Sequence, residues 1–337
     1  MLRAEDHYEL QALAEMAIAD GHYQLRTSGL STKLDEVEQT FRLMYWSTRD
    51  LAKLWQPIFA QRGMQMRMTG VFCHKTPLAT FDASGNDVTC ELGDLLVVHD
   101  ALGHRPRRRA AILQAKRTDK GAAKSLDAVQ TDLYRRLPPF RLSRPGHKSV
   151  RLKPGDRDIG SALDFARFAL VADDADVTPP AFWFRNRRLH AYPGRPAYRA
   201  PWTVAHPAQD PVNAVGAETF GSFLTSMLYD THPARGQTVQ PVLDLPAARL
   251  GTGQDLDITV QELMELTAKR LARGIYWTGL KRGIVAFQEG SSGLVNPGSP
   301  FPVGRVSGLP PEFSEPEFGE EEDEGGMSIL LIETMAG

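Results

Sequence analysis

The sequence predicts an α/β fold, a mixed sheet flanked by helices in the order α-β-β-β-α-β, followed by a C-terminal α+β extension. Three observations carry this. Apolar residues recur at helical spacing from Thr32 to about Phe59, strand-like segments succeed one another between 64 and 116, and a second amphipathic stretch at 125–137 precedes an apolar run at 162–173.

The first helix presents Leu34, Val37, Phe41, Met44, Tyr45, Leu51 and Trp55 along one side, and Thr32-Lys33-Leu34-Asp35 supplies a capping signal at its start. Its length suggests one long helix or a broken pair. Met64 to Cys73 alternates as a strand, and Asp82-Ala83-Ser84-Gly85-Asn86-Asp87 contains a turn. Glu91 to Asp100 then reads as a second strand, the arginines near 107 as a basic connection, and Ala110 to Arg117 as a third. Three strands in succession predict a meander. In the next helix Leu126, Val129, Leu133 and Leu137 share a face before Pro138-Pro139 stops it. Beyond it, 162–173 predicts a further strand, 217–230 and 258–274 two helices (Gly274 as C-cap), and 326–337 a strand returning to a sheet. This divides the chain into a core at 1–175 with N-terminal helices and an accessory region at 176–337.

The bulk numbers bound the class. A chain of 337 residues, 42% hydrophobic, can bury a sizeable core. No apolar run approaches the roughly 18 residues of a membrane span, and the first segment is too acidic for a secretion signal. Two cysteines make no disulfide framework, so a cytoplasmic location is expected. The net charge of −2 conceals segregation: 105–153 is dominated by arginine and lysine, whereas 315–324 carries acids without a base. Such polarity suggests a polyanion partner for the middle of the chain. Arginines interleaved with Trp183, Phe184 and Tyr192 in the proline-rich 174–215 suit either backbone contacts with base stacking or a packed loop.

The chemistry-bearing residues lie on the second and third strands. Asp94 is on one, and Gln114-Ala115-Lys116 on the next. Side chains two apart share a strand face, so Gln114 and Lys116 point together and Asp94 can meet them from the neighbouring strand. Gln130 and Tyr134, four apart on the following helix, also project together. In element order and in these motifs the chain resembles the PD-(D/E)xK nucleases: an acid followed by (D/E/Q)-x-K, the Gln variant of the Mrr-like branch, and the QxxxY helix of RecB-like members. The resemblance covers about Leu34 to Asp173.

The resemblance implies a metal-dependent nuclease acting on double-stranded DNA, with a role in restriction or defence against phage. Mg²⁺ or Mn²⁺ would be held by Asp94, the Gln114 side-chain carbonyl and the Ala115 backbone carbonyl. Lys116 would orient or deprotonate the attacking water, with Gln130 and Tyr134 in support. Gln114 in place of an acid removes one negative charge, and Glu38 on the first helix is the expected replacement. Arg107, Arg108, Arg109, Arg117, Lys120 and Lys124 are the expected nucleic-acid contacts. The competing readings are a non-catalytic nucleic-acid-binding or scaffold subunit of a defence complex, and a repair or recombination nuclease. A partner protein or a second copy of the chain fits either. A zinc site from Cys73, His74, Cys90 and His99 is the weaker alternative, since no CxxC pair exists; a buried cysteine on each of two paired strands is the plainer expectation.

Overall fold

The computed structural model describes residues 2–24, 36–73, 77–103, 106–119, 122–123, 127–143, 157–160, 162, 164–172, 200–207, 217–229, 235–243, 254–272, 284–301 and 326–336. The chain begins with α1 (Ala4–Gln24), α2 (Glu36–Arg42), a π-helical turn (Leu43–Ser47) and α3 (Thr48–Gln61). The strands β1 (Met64–Cys73), β2 (Leu78–Ala83), β3 (Asn86–Glu91), β4 (Leu95–Leu102), β5 (Arg107–Asp119) and β6 (Ala122–Ala123) follow. Next come α4 (Ala128–Arg136), β7 (Phe140–Ser143), β8 (Ala166–Ala172), β9 (Trp202–Ala205), β10 (Glu218–Thr219) and α5 (Phe220–Met227). The described elements end with β11 (Gln237–Val239), α6 (Asp255–Ala272), β12 (Ile284–Gly290) and β13 (Ser328–Ala336). No helix among the described residues is long and apolar enough to cross a membrane.

Ten strands form one mixed sheet in the order β10-β9-β8-β5-β4-β13-β1-β12, with β6 and β11 also paired to β5. The pairs β4–β13 and β5–β8 are parallel and the rest antiparallel. A small second sheet runs β3-β2-β7. Both faces of the large sheet are covered, so its central strands read as continuous apolar runs. Leu96, Val98, Ile112, Ile329 and Leu331 pack with α4, α6 and the small sheet. Their neighbours Leu95, Val97, Leu113, Leu330 and Ile332 pack with α1, α2, α3 and α5.

The expected α/β class holds, with three corrections of layout. β13 lies between β1 and β4, so β1, β4 and β5 are not a meander. The boundary expected at 175/176 divides nothing, because β12 and β13 complete the sheet built by β1, β4 and β5. The stretch expected as one strand over 91–100 breaks: Glu91 ends β3 in the small sheet, 92–94 form an elbow, and β4 begins at Leu95. The long first helix is the broken pair, α2 and α3 joined through the π turn. Its capping signal at 32–35, Gly274 and the acidic run at 315–324 lie outside the described residues.

Local chemistry explains two punctuations. Ser84 and Gly85 both adopt positive φ (59° and 90°), and Gly85 donates to Asp82 Oδ1 at 2.6 Å, closing the β2–β3 hairpin as a turn that matches strand twist. Asp127 caps α4 by accepting from Val129 N at 2.8 Å.

The insertion of β13 is marked by a buried polar row across four strands. Arg67 on β1 faces Glu333 on β13, Glu333 faces Asp100 on β4, and Asp100 faces Arg108 on β5. Arg67 grips Glu333 with two bonds of 2.6 and 2.8 Å, and Arg108 grips Asp100 with the same pair of lengths. Asn296 bridges the two acids, donating to Asp100 Oδ2 at 2.7 Å and Glu333 Oε1 at 3.0 Å. All four charges are buried and balanced.

Candidate active site

The site assembles where β4 begins. Ahead of it, the elbow at 92–94 is held by α4: Tyr134 donates its hydroxyl to Leu92 O at 2.7 Å, and its ring packs against Phe168. Gly93 is required by this approach, since a Cβ there would lie 2.6 Å from the Tyr134 hydroxyl and 2.7 Å from Ile112. One turn earlier on α4, Gln130 Nε2 reaches Gln114 Oε1 at 2.6 Å and Glu91 O at 3.3 Å. Gln114 Nε2 donates to Asp94 Oδ2, which also accepts from Ala115 N at 2.8 Å. Asp94 N closes the elbow on Leu113 O at 2.9 Å.

Asp94, Gln114, Gln130 and Tyr134 thus form one connected group. Lys116 shares the sheet face of Gln114 and is half-buried, and its ammonium makes no hydrogen bond or ion pair among the described residues. Burial raises the Asp94 carboxyl from its ordinary 3.8 to about 7; Glu91 and Glu36 push the same way, while the Ala115 amide and Lys116 oppose them. Burial likewise drives the Tyr134 hydroxyl well above 10, so it remains a neutral donor.

α2 contributes a different glutamate from the one expected. Glu38 is engaged by Arg42 at 2.8 Å, an i,i+4 pair on the helix itself. Glu36 instead reaches β5, where its Oε1 accepts from Arg117 N at 3.0 Å. The Ala115 and Arg117 amides project from the same edge of β5, roughly 7 Å apart by the strand repeat, and one donates to Asp94 while the other donates to Glu36. By the same alternation the Ala115 carbonyl faces that edge between them. Asp94 Oδ1 and Glu36 Oε2 have no hydrogen-bond partner among the described residues. An all-oxygen set of two carboxylates and a carbonyl suits Mg²⁺ or Mn²⁺. No group of three or more His, Cys, Asp or Glu gathers among the described residues.

The expected cationic surface is redistributed. Arg107 is exposed and Arg109 half-buried, donating to Arg235 O and Gly236 O at 3.4 and 3.1 Å. Arg108 corrects the expectation: it is fully buried in the polar row, with Gln261 Oε1 and Gly298 O taking its remaining donors. Arg117 is half-buried with its amide on Glu36. Lys120 and Lys124 lie outside the described residues.

The weaker zinc alternative finds no common locus. His99 donates from Nδ1 to Met227 O and accepts at Nε2 from Thr334, both at 2.9 Å, and burial lowers it to about 4. Cys73 and Cys90 lie in different sheets rather than on paired strands, and burial pushes the Cys90 thiol up to about 12. His74 is outside the described residues.

No family model, no curated protein and no solved structure matches this chain.

Proposed function

We propose that the chain is a metal-dependent nuclease that hydrolyses phosphodiester bonds of double-stranded DNA, built on a restriction-endonuclease-like core. The observation that supports this best is the convergence of Asp94, Gln114 and Lys116 from separate strands on one sheet face, with Glu36 brought to the same strand edge. Glu36 takes the supporting place that Glu38 was expected to fill. Asp94, Glu36 and the Ala115 carbonyl would hold Mg²⁺ or Mn²⁺, which when bound polarises the phosphoryl group and lowers the pKa of water. Lys116, free to move its ammonium, orients the attacking water and offsets charge developing on the phosphate. Gln130 and Tyr134 fix the elbow that aims Asp94. Arg107 at the start of β5 supplies a backbone contact. The resemblance to Mrr-like and RecB-like enzymes suggests restriction or antiviral defence, with repair as the neighbouring role.

A second reading, a nucleic-acid-binding scaffold without hydrolysis, is favoured by one observation: the Gln114 amide donates to Asp94 where a second acid would help to hold a cation. Incubating supercoiled and linear DNA with wild type, Asp94→Ala and Lys116→Ala, in Mg²⁺, Mn²⁺ or EDTA, separates the two. Metal-dependent cleavage lost in both variants supports the nuclease. Salt-dependent binding with intact DNA throughout leaves the scaffold.

A further inference from the structure

The amide of Gln114 has its orientation dictated from both ends by backbone groups. At one end Gln130 Nε2 meets Glu91 O, a carbonyl that can only accept, so Gln130 must turn its NH₂ that way. The same NH₂ meets Gln114 Oε1 at 2.6 Å, which makes that oxygen the acceptor. At the other end Asp94 Oδ2 receives the Ala115 amide at 2.8 Å, and in the ionised form that a cation selects the carboxylate can only accept, so Gln114 Nε2 must meet it as donor. Turning either glutamine over sets oxygen against oxygen at one end or the other. Donor polarity therefore runs one way, from Gln130 through Gln114 to Asp94.

We propose that Gln114 is not a metal ligand but a positioning residue: it and Gln130 form a one-way hydrogen-bond relay that occupies Asp94 Oδ2 and leaves Oδ1 as the single oxygen Asp94 offers to a divalent cation. This rests on the metal-dependent reading of the site and departs from the ligand role that the resemblance implies for Gln114. It also gives the Gln–x–Lys variant a physical reason. An acid at 114 would set a carboxylate against Asp94 Oδ2, whereas the amide supplies a donor to a carboxylate already pressed by Glu91 and Glu36. The charge missing from 114 is supplied by Glu36 from another element.

Binding of Mn²⁺ alone to the full chain, followed by the paramagnetic resonance of the free ion, tests the relay without any DNA. Asp94→Asn and Glu36→Gln are expected to weaken Mn²⁺ by about tenfold or more, since affinity for a hard cation follows the number of charged oxygen ligands. If wild type binds no Mn²⁺, or neither variant weakens it, the metal-dependent reading itself fails. The relay is tested separately by Gln114→Leu, which is expected to bind Mn²⁺ as tightly as wild type or more tightly, because Asp94 loses a competing donor. Weakening by about tenfold or more would overturn it, because the relay gives Gln114 a donor that competes with the cation for Asp94 and no oxygen that holds the cation. Gln130→Leu frees Gln114 to turn its carbonyl toward the site, so Mn²⁺ affinity should rise. In the double variant Gln130→Leu/Gln114→Leu the affinity should equal that of Gln114→Leu; tighter binding than Gln114→Leu there, or no gain in Gln130→Leu alone, also overturns the relay. Circular-dichroism melts of each variant confirm that folded protein is compared.

Discussion

Asp94→Asn is the perturbation for which the structure gives the most definite number. The Asp94 carboxyl moves from 3.8 to about 7 on folding, chiefly because burial removes water from its charged form. A carboxyl whose folded pKa is raised keeps its proton in the folded state while the unfolded chain has already lost it. Stability is therefore undiminished below the unfolded value and falls as pH climbs from 3.8 to about 7. The full interval is worth roughly 4 kcal/mol, an upper limit for a side chain that keeps some contact with water. Asparagine, which never ionises, removes the whole dependence. The stability advantage of Asp94→Asn over wild type should widen by up to roughly 2 to 3 kcal/mol between about pH 5 and about pH 8.5. Urea midpoints at constant ionic strength for both proteins read this directly, and pH-independent consequences of the substitution cancel in the comparison. Adding Mg²⁺ at the higher pH should close the gap, since a cation stabilises the ionised wild-type carboxylate and has less to bind in the variant. A gap that stays flat across the range, or narrows as pH rises, refutes the argument that Asp94 folds into a water-poor, acid-flanked pocket.

Gly93→Ala places a methyl group against the Tyr134 hydroxyl and Ile112, and should cost about 1 to 3 kcal/mol by thermal or urea unfolding. Combining it with Tyr134→Phe should recover part of that loss. Arg107→Gln and Arg108→Gln, neighbours in sequence, should behave oppositely. The first lowers the salt dependence of DNA binding by about one phosphate contact, whereas the second leaves Asp100 buried without its partner and costs about 3 to 5 kcal/mol of stability. His99 is lowered from 6.5 to about 4, so its stabilisation is present above 6.5 and is lost as pH falls toward 4. Proton nuclear magnetic resonance should show its ring titrating below about pH 5, and the advantage of wild type over His99→Gln should shrink by roughly 2 to 3 kcal/mol between neutral pH and about pH 4.5.

The parts of the fold visible in the sequence were those written in local periodicity. β1, β5, β8, β13, α4, α5 and α6 each carry their own apolar pattern, and all were expected within a few residues. What periodicity cannot report is which strand lies beside which. β13 and β4 are separated by more than two hundred residues, and their pairing is set by the register of Glu333 against Asp100, a long-range match with no local trace. The same limit hid the true role of Arg108, which looks like one more member of a basic run until Asp100 is seen opposite it. Glu36 was missed for a different reason. Glu36 and Glu38 are both acids on one helix, but Arg42 stands four residues after Glu38 and claims it, a pairing already readable in the sequence.

The buried row and the candidate site lie toward the two ends of β4, and this bears on how the site is held. On β4, Asp100 alternates in step with Leu96 and Val98 on one side of the sheet, and Asp94 stands in the elbow one residue before that strand begins, bonded to Gln114. Asp100 is gripped by Arg108 on one neighbour and tied through Asn296 to Glu333 on the other. A one-residue slip of β4 against β5 would part Asp100 from Arg108 and leave that arginine buried without its carboxylate. The same slip would carry Asp94 away from Gln114 and the Ala115 amide. The cost of a wrong register is thus paid at the buried row, where no solvent can screen it, while the benefit of the right one appears at the elbow. There Asp94 needs placement to within a hydrogen bond, and every group that bonds it directly, Gln114 Nε2, the Ala115 amide and Leu113 O, belongs to β5 and moves with that register.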